Sequence, residues 1–210
     1  MKRITLAWTG ASGLGYGLRL LDCLLTAACH VDLMVSQAAR IVARQELDLA
    51  LPGDPSELAA LLSRRLPDTP GVLHAHGERA WFAAPASGSN PADAMVVCPC
   101  SMGSLAAIAH GLADNLIERA ADVMLKERRP LILVPRETPF SLIHLRNMTA
   151  LAEAGATLLP ANPGFYPRPQ HVGELIDFVV ARILDHLRIE HSLGQRWGAA
   201  AAPPDRLTQD

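Results

Sequence analysis

Five small residues, Thr9-Gly10-Ala11-Ser12-Gly13, follow an apolar, partly β-branched run and precede an apolar segment with a helical pattern. This order predicts a buried strand, a tight turn and the N-terminus of a helix. Unpaired backbone N–H groups and the positive end of the helix dipole converge at such a turn, so an anion is favoured there. Ser12 adds a hydroxyl donor. The turn therefore predicts a phosphate site, although a strand–helix connection that binds nothing has the same pattern.

The glycine spacing argues against a dinucleotide. Glycines at 10, 13, 15 and 17 do not match G-x-G-x-x-G. The second predicted strand contains Asp32 in its interior and leads to Ser36, whereas a ribose hydroxyl prefers a carboxylate beyond the strand. Tyr16 is followed four positions later by Leu20 rather than lysine. The first turn thus indicates phosphate but not NAD.

A second strand–turn–helix repeats this arrangement. The strand Ala94–Cys98 leads into Pro99-Cys100-Ser101-Met102-Gly103-Ser104, and an apolar helix is predicted from Leu105. Ser101 and Ser104 stand where hydroxyls cap a helix N-terminus. Ligands of open α/β folds bind at the carboxyl edge of a parallel sheet. We therefore expect the two turns to face each other there.

Charged residues follow other predicted elements. Arg136 and Glu137 come directly after the strand Leu131–Val134, at the same expected edge of the sheet. The helix 115–129 carries a dense charge set that is also typical of a solvated helix face. The loop 160–169 carries Phe165, Tyr166 and Arg168, and the helix after it carries Arg182.

The elements that must position these residues alternate between strands and helices. Further helices are predicted over 14–28, 38–46, from an N-cap at Asp54, over 141–154 and over 173–187, and further strands over 30–35 and 157–159. Residues 72–84 are ambiguous, an edge hairpin being one possibility. The order predicts a doubly wound, mostly parallel sheet in three αβα layers, Rossmann-like or flavodoxin-like. We expect one domain over 1–190 and a tail over 191–210 that carries Trp197.

Composition restricts the classes of function. The 210 residues have a net charge of −2, which gives no reason to expect nucleic acid. No apolar run is long enough to span a bilayer and no signal peptide is evident, so we expect a cytoplasmic protein without membrane contact. The abundance of Ala and Leu over charged residues suggests apolar surface buried between subunits.

Cysteines and histidines give only weak signals for a metal. Four cysteines form no paired C-x-x-C set, so reduced thiols are expected. Cys98-Pro99-Cys100 is closer-spaced than a usual zinc knuckle. His74 and His76 flank Ala75, and a site built from them would need further ligands.

Four segments together resemble the UbiX-type flavin prenyltransferases, formerly described as phenylacrylic acid or 3-octaprenyl-4-hydroxybenzoate decarboxylases. They are TGASG at 9–13, CPCSMGSL at 98–105, NLIERAADVMLKERRPLILVPRETP at 115–139 and PGFYPRPQ at 163–170. The likeness extends from about Ile4 to Trp197. It implies a flavodoxin-like homo-oligomer, typically a dodecamer, that needs no metal.

The resemblance also implies the reaction. Such an enzyme binds reduced FMN and dimethylallyl phosphate or diphosphate, and it joins the five-carbon group to flavin N5 and C6. The prenylated FMN then passes to a UbiD-type decarboxylase.

The resemblance implies a set of site residues. FMN contacts carry over to Gly10, Ala11, Ser12, Ser36, Ser101, Met102, Gly103, Ser104 and Arg136. Prenyl-phosphate contacts carry over to Tyr166, Arg182, Lys126 and Arg119. Catalytic positions carry over to Ser12, Glu46, Arg119, Lys126, Glu137 and Trp197.

These residue types suit the chemistry. Breaking an allylic C–O bond leaves negative charge on phosphate, which Lys126, Arg119 and Arg182 can stabilise. The allyl fragment becomes cationic, and the face of Trp197 can attract it. Glu137 can accept a proton, and Ser12 can hold N5 by a hydrogen bond.

Three other readings use the same flavin site. An aromatic acid decarboxylase would need a group to protonate a carbanion. A flavin carrier would not need the charged residues Arg119, Lys126, Arg136, Glu137 and Arg182. A cysteine decarboxylase would have no use for a second phosphate site.

Overall fold

The computed structural model describes residues 1–194 and contains six strands and seven helices within them. The strands are β1 (Arg3–Trp8), β2 (His30–Val35), β3 (Val72–His76), β4 (Ala94–Cys100), β5 (Leu131–Pro135) and β6 (Thr157–Leu158). The helices are α1 (Leu14–Thr26), α2 (Gln37–Leu47), α3 (Pro55–Arg65), α4 (Met102–Ala109), α5 (Leu116–Lys126), α6 (Leu142–Glu153) and α7 (Val172–Leu187). A 3₁₀ turn covers Ala84–Ala86.

All six strands pair in parallel, in the order β3-β2-β1-β4-β5-β6. The chain moves outward from β1 to one edge, returns to β4 and continues to the other edge. This reversal between β1 and β4 is the switch point of a doubly wound sheet. The predicted three-layer flavodoxin-like fold is confirmed.

Each face of the sheet packs against its own hydrophobic core. One core joins strand residues such as Leu6 and Val96 to helices α1 and α7. The other joins Ala7 and Val97 to helices α4 and α5. Because side chains alternate along a strand, neighbouring residues enter opposite cores. A parallel sheet covered on both faces needs strands that are apolar at nearly every position, as these are.

Apart from shifts of one or two residues at the ends of other elements, three predicted elements differ from the structure. Residues 72–84 contain one parallel edge strand, Val72–His76, rather than a hairpin, because the chain leaves β3 at Gly77 and packs Ala80 and Ala83 against a sheet face instead of turning back. Helix α4 begins at Met102 rather than Leu105, since Ser101 is already its N-cap. Helix α5 ends at Lys126 rather than Arg129, just before Arg128 adopts a positive φ of 53°.

The two cysteines of Cys98-Pro99-Cys100 lie within β4 and point to opposite faces. Cys98 belongs to the core beside α7, and Cys100 to the core beside α5. Burial raises the pKa of Cys100 to about 12 and raises the pKa of Cys98 as well. Because the two side chains enter different cores, they are not placed to bind one metal ion together. None of the helices within residues 1–194 has the length and apolar character needed to cross a bilayer.

Helix α1 approaches β1 and β4 closely at Gly17. A Cβ added there would lie 2.5 Å from the carbonyl oxygen of Cys98 and 2.7 Å from Nε1 of Trp8. The backbone oxygen cannot move without disturbing the strand. Glycine at this position therefore sets the distance between helix and sheet.

We expect Gly17→Ala to lower the free energy of unfolding by about 1–3 kcal/mol, because the added methyl overpacks a closed core. Gly173→Ala is the matched control, since a Cβ there meets nothing within 4 Å. It should leave stability unchanged or raise it by up to about 1 kcal/mol. Urea denaturation of both variants measures the difference, and equal midpoints would contradict the packing argument.

Candidate functional site

Thr9 connects the two small-residue turns at the carboxyl edge of the sheet. Its hydroxyl donates to the carbonyl oxygen of Pro99 at 2.9 Å and accepts from the backbone N–H of Ser101 at 2.7 Å. Thr9 is 1% exposed, so these bonds are shielded from water. The turns after β1 and β4 are therefore adjacent, as the sequence predicts. Thr9 itself had no predicted role, although a hydroxyl directly after a buried strand is a usable signal.

The turn after β1 is held by Glu46 at the end of α2. Its Oε2 accepts from the backbone N–H groups of Gly13 at 2.9 Å and Leu14 at 3.2 Å. This carboxylate lies at the α1 N-terminus, where the positive end of the helix dipole favours an anion. A phosphate at this turn stays a prediction, and it would have to bind beside this carboxylate or displace it. Ser12 remains exposed beside them.

The rest of this turn packs on helix α2. A Cβ on Gly10 would lie 2.4 Å from Cβ of Ala38, so only glycine lets the turn approach the helix. Ala11 is buried. Ser36 begins α2 at the carboxyl end of β2, and its Oγ accepts from the Ala39 N–H at 3.1 Å. The segment therefore offers small residues and hydroxyls at the sheet edge.

Helix α4 begins at the same edge with a second pair of hydroxyls. Ser101 Oγ accepts from the Ser104 N–H at 3.2 Å and donates to Ser104 Oγ at 3.1 Å. Met102 is buried in the core, while Gly103 is exposed and faces open space. The helix N-terminus and its hydroxyls suit a phosphate or another anion.

Arg136 follows β5 and has an unsatisfied donor. Its Nε is buried, and no group within residues 1–194 accepts a hydrogen bond from it. A buried cationic donor without a partner costs free energy, so such a group is expected to meet an anionic ligand. The next residue, Glu137, is half-buried, and its Oε1 accepts from the Thr138 N–H at 3.1 Å. The sheet edge therefore fits the phosphate of a flavin nucleotide.

A second cationic group lies on helix α5 and on the loop that covers it. The Arg119 Nε donates to the carbonyl oxygen of Ala86 at 3.0 Å, and its Nη1 pairs with Asp122 at 2.8 Å. Lys126 is exposed and pairs with Glu127. A Cβ on Gly88 would lie 2.6 Å from Lys126 Nζ, so the loop approaches this amine closely. This loop, residues 85–91, carries Ser87 and Ser89 on either side of Gly88 and had no predicted site role.

A third group lines an open cleft of about 830 Å³ beside helix α7. Arg182 lines this cleft and pairs at 3.0 Å with Asp185, one turn later on the same helix. Tyr166 contacts Phe178 edge to face, with ring centroids 5.6 Å apart. His191 Nε2 lies 3.3 Å from Oδ1 of Asp185, and both residues line the cleft. Arginine, tyrosine and apolar side chains are thus available to a small ligand.

Within one chain, the cationic group on α5 and the group beside α7 do not meet. Helix α5, with Arg119 and Lys126, packs on one face of the sheet, and helix α7, with Arg182, packs on the other. The flavin-type residues lie at the carboxyl edge between the two faces. Trp197 falls outside the described residues.

Comparisons with known proteins agree with this geometry. The family model described as Flavoprotein matches residues 1–184. The flavin prenyltransferase UbiX of Pseudomonas aeruginosa is 55% identical over 197 residues, which are 94% of each chain.

Two solved structures have the same fold. A crystal structure of AnUbiX in complex with FMN and dimethylallyl pyrophosphate has a TM-score of 0.84 and 40% identity, covering 95% of this chain and 99% of that one. A dodecameric FMN-dependent UbiX-like decarboxylase from Escherichia coli O157:H7 has a TM-score of 0.82 and 38% identity, covering 93% and 98%. The chain therefore belongs to the flavin prenyltransferase UbiX family of flavoproteins.

Proposed function

We propose that this chain is a flavin prenyltransferase that joins a dimethylallyl group to N5 and C6 of reduced FMN. The observation that carries the proposal is a set of cations, Arg119, Lys126 and Arg182, in addition to the anion site at the sheet edge. A flavin carrier needs only the edge site. A donor ester needs a second place for its phosphate, and the related AnUbiX structure contains FMN and dimethylallyl pyrophosphate together.

The sheet edge fits FMN. Reduced FMN supplies the nucleophilic ring atoms that accept the five-carbon group. Arg136 and the hydroxyls of Ser101 and Ser104 would hold its phosphate. The Arg136 Nε has no acceptor within residues 1–194, and the two serines stand at a helix N-terminus. Gly10, Ala11, Ser12 and Ser36, with the start of α4 at Met102 and Gly103, would form the wall beside it.

The remaining cations would act on the donor. As the allylic C–O bond breaks, its electron pair passes to the phosphate oxygen. Lys126 and Arg119 would stabilise this charge from one side and Arg182 from the other, while the Tyr166 hydroxyl donates to a phosphate oxygen. Trp197 would present an aromatic face to the allyl cation.

Proton handling falls to the residues nearest the sheet edge. Glu137, directly beyond Arg136, would accept a proton released from the ring, and the departing phosphate can accept another. Ser12 would fix the ring by a hydrogen bond to N5. Glu46 would act through the turn, because its carboxylate holds the backbone on which Ser12 stands.

The active site would form between copies of the chain. Lys126 and Arg182 lie on opposite faces of one sheet, so a neighbouring chain must supply one of them. Helix α6 and the segment before it leave Phe140, Leu142, Ile143 and Leu145 exposed, which is typical of a surface that another subunit covers. The Escherichia coli relative is dodecameric, and we propose a dodecamer here.

The product would serve a UbiD-type decarboxylase. We place the activity in the cytoplasm, because all four cysteines are free and a reducing compartment keeps both thiols and reduced flavin in that state.

Arg136→Ala should weaken FMN binding by about 10- to 100-fold, because a charge-assisted bond to phosphate contributes about 1.5–3 kcal/mol. Fluorescence titration with FMN measures the affinity. Arg64→Ala, which removes an exposed arginine from α3, is the control and should bind like the wild type. Equal affinity in the two variants would remove Arg136 from the phosphate site.

The reaction is tested with reduced FMN and dimethylallyl phosphate under anaerobic conditions, followed by mass spectrometry of the flavin. The wild type should release flavin that carries one added five-carbon unit, and Glu137→Gln should form it about 100- to 10,000-fold more slowly while FMN still binds.

Glu153→Gln, an exposed carboxylate on α6, should leave the rate unchanged. An aromatic acid incubated in parallel should not lose carbon dioxide. Decarboxylation without flavin modification would favour the decarboxylase, and FMN binding without either reaction would favour the carrier. If Glu137→Gln formed prenylated FMN at the wild-type rate, the acid–base role of Glu137 would be excluded. The proposed transfer reaction would stand.

A further inference from the structure

Three histidines surround one buried carboxylate where β2 pairs with the edge strand β3. Asp32 stands directly opposite His74 in the parallel register, and His30 precedes Asp32 by two residues. His76 follows His74 by two. Residues two apart in a strand share a face, so all four side chains lie on one side of the sheet.

The donor atoms of three of these residues are close together. One ligand atom each from His30, Asp32 and His74 lies within 4.8 Å of the others. The His30 and His74 rings meet edge to face, with centroids 4.7 Å apart. Zinc bonds to nitrogen and carboxylate oxygen are about 2.0–2.2 Å long, so modest rotation of the exposed His74 ring would bring the three atoms onto one ion.

Asp32 has an incompletely satisfied carboxylate. The residue is 2% exposed, and its Oδ1 lies 2.7 Å from Nε2 of His76. Its Oδ2 is buried and has no hydrogen-bond partner among the described residues. The Arg3 guanidinium is 3.7 Å from Oδ2, too far for a hydrogen bond, and donates to Asn90 instead.

His76 is placed to orient this carboxylate. Its Nε2 shares a hydrogen bond with Oδ1, as an outer-shell partner of a metal ligand does.

We propose that His30, Asp32 and His74 bind one divalent transition-metal ion of the Zn²⁺ class. Two imidazoles and one carboxylate are a ligand set that such ions prefer, and the exposure of His74 leaves an entry path and a fourth position for water. The ion joins the edge strand β3 to β2.

This site is separate from the transfer site. Asp32 lies four residues before Ser36, which is about 13 Å along the strand from the carboxyl edge. The metal therefore has a structural role, stabilising the sheet edge, and takes no part in prenyl transfer.

The test uses the untagged full chain after removal of metal with EDTA. Calorimetric titration with ZnCl₂ should give one ion per chain, and saturating Zn²⁺ should raise the melting temperature. His74→Ala removes an exposed ligand without opening the core. It should weaken Zn²⁺ binding at least about tenfold and abolish the shift in melting temperature.

His110→Ala, which removes an exposed histidine at the end of α4, is the control and should bind Zn²⁺ like the wild type. Co²⁺ titration gives an independent readout, since a bound ion with imidazole ligands acquires a visible absorption band that His74→Ala should lack. Equal Zn²⁺ uptake by wild type and His74→Ala, or an equal loss in His110→Ala, would overturn the site. Prenyl transfer should be unchanged in His74→Ala.

Discussion

The parallel pairing of all six strands is the constraint on which the rest depends. Every strand ends at the same edge, so the polar residues of each strand–helix turn lie there. Thr9 joins the two turns at this edge, because its buried hydroxyl donates to Pro99 near the end of β4 and accepts from Ser101 just after it. Glu46 then fixes the first turn from a third element. The proposed flavin site thus depends on strand direction and a few shielded hydrogen bonds, rather than on one motif.

The same constraint separates the other charged groups. Crossover helices in a doubly wound sheet must cover both faces, and α5 and α7 fall on opposite ones. Cations placed on both helices can act on one small ester only if chains assemble. The exposed apolar residues around the start of α6 are consistent with such assembly. Oligomerisation and catalysis are then linked, since an isolated chain would keep the flavin edge but lose half of the donor site.

Local sequence patterns predicted the features that depend only on residues close together in the chain. The strand His30–Val35 was predicted to the residue, because an apolar run ends at a serine cap. The cap at Asp54 and both turns were predicted for similar reasons. The opposite orientation of Cys98 and Cys100 depends on an irregularity within β4, which spacing does not reveal. The histidine cluster shows the limit most clearly: His74 and His76 stood out, but their neighbours His30 and Asp32 are set by pairing between strands some 42 residues apart. The capping of α1 by Glu46 is equally non-local.

The central claim, that the transfer site combines groups from two chains, is tested most directly by subunit mixing. Lys126→Ala and Arg182→Ala chains with different affinity tags are co-expressed, and oligomers carrying both tags are isolated. Each variant alone should be nearly inactive in forming prenylated FMN. The mixed oligomers should regain a substantial part of the wild-type rate, because some sites receive an intact Lys126 from one chain and an intact Arg182 from another. Mixed oligomers as inactive as either parent would place both residues within one chain and contradict the account.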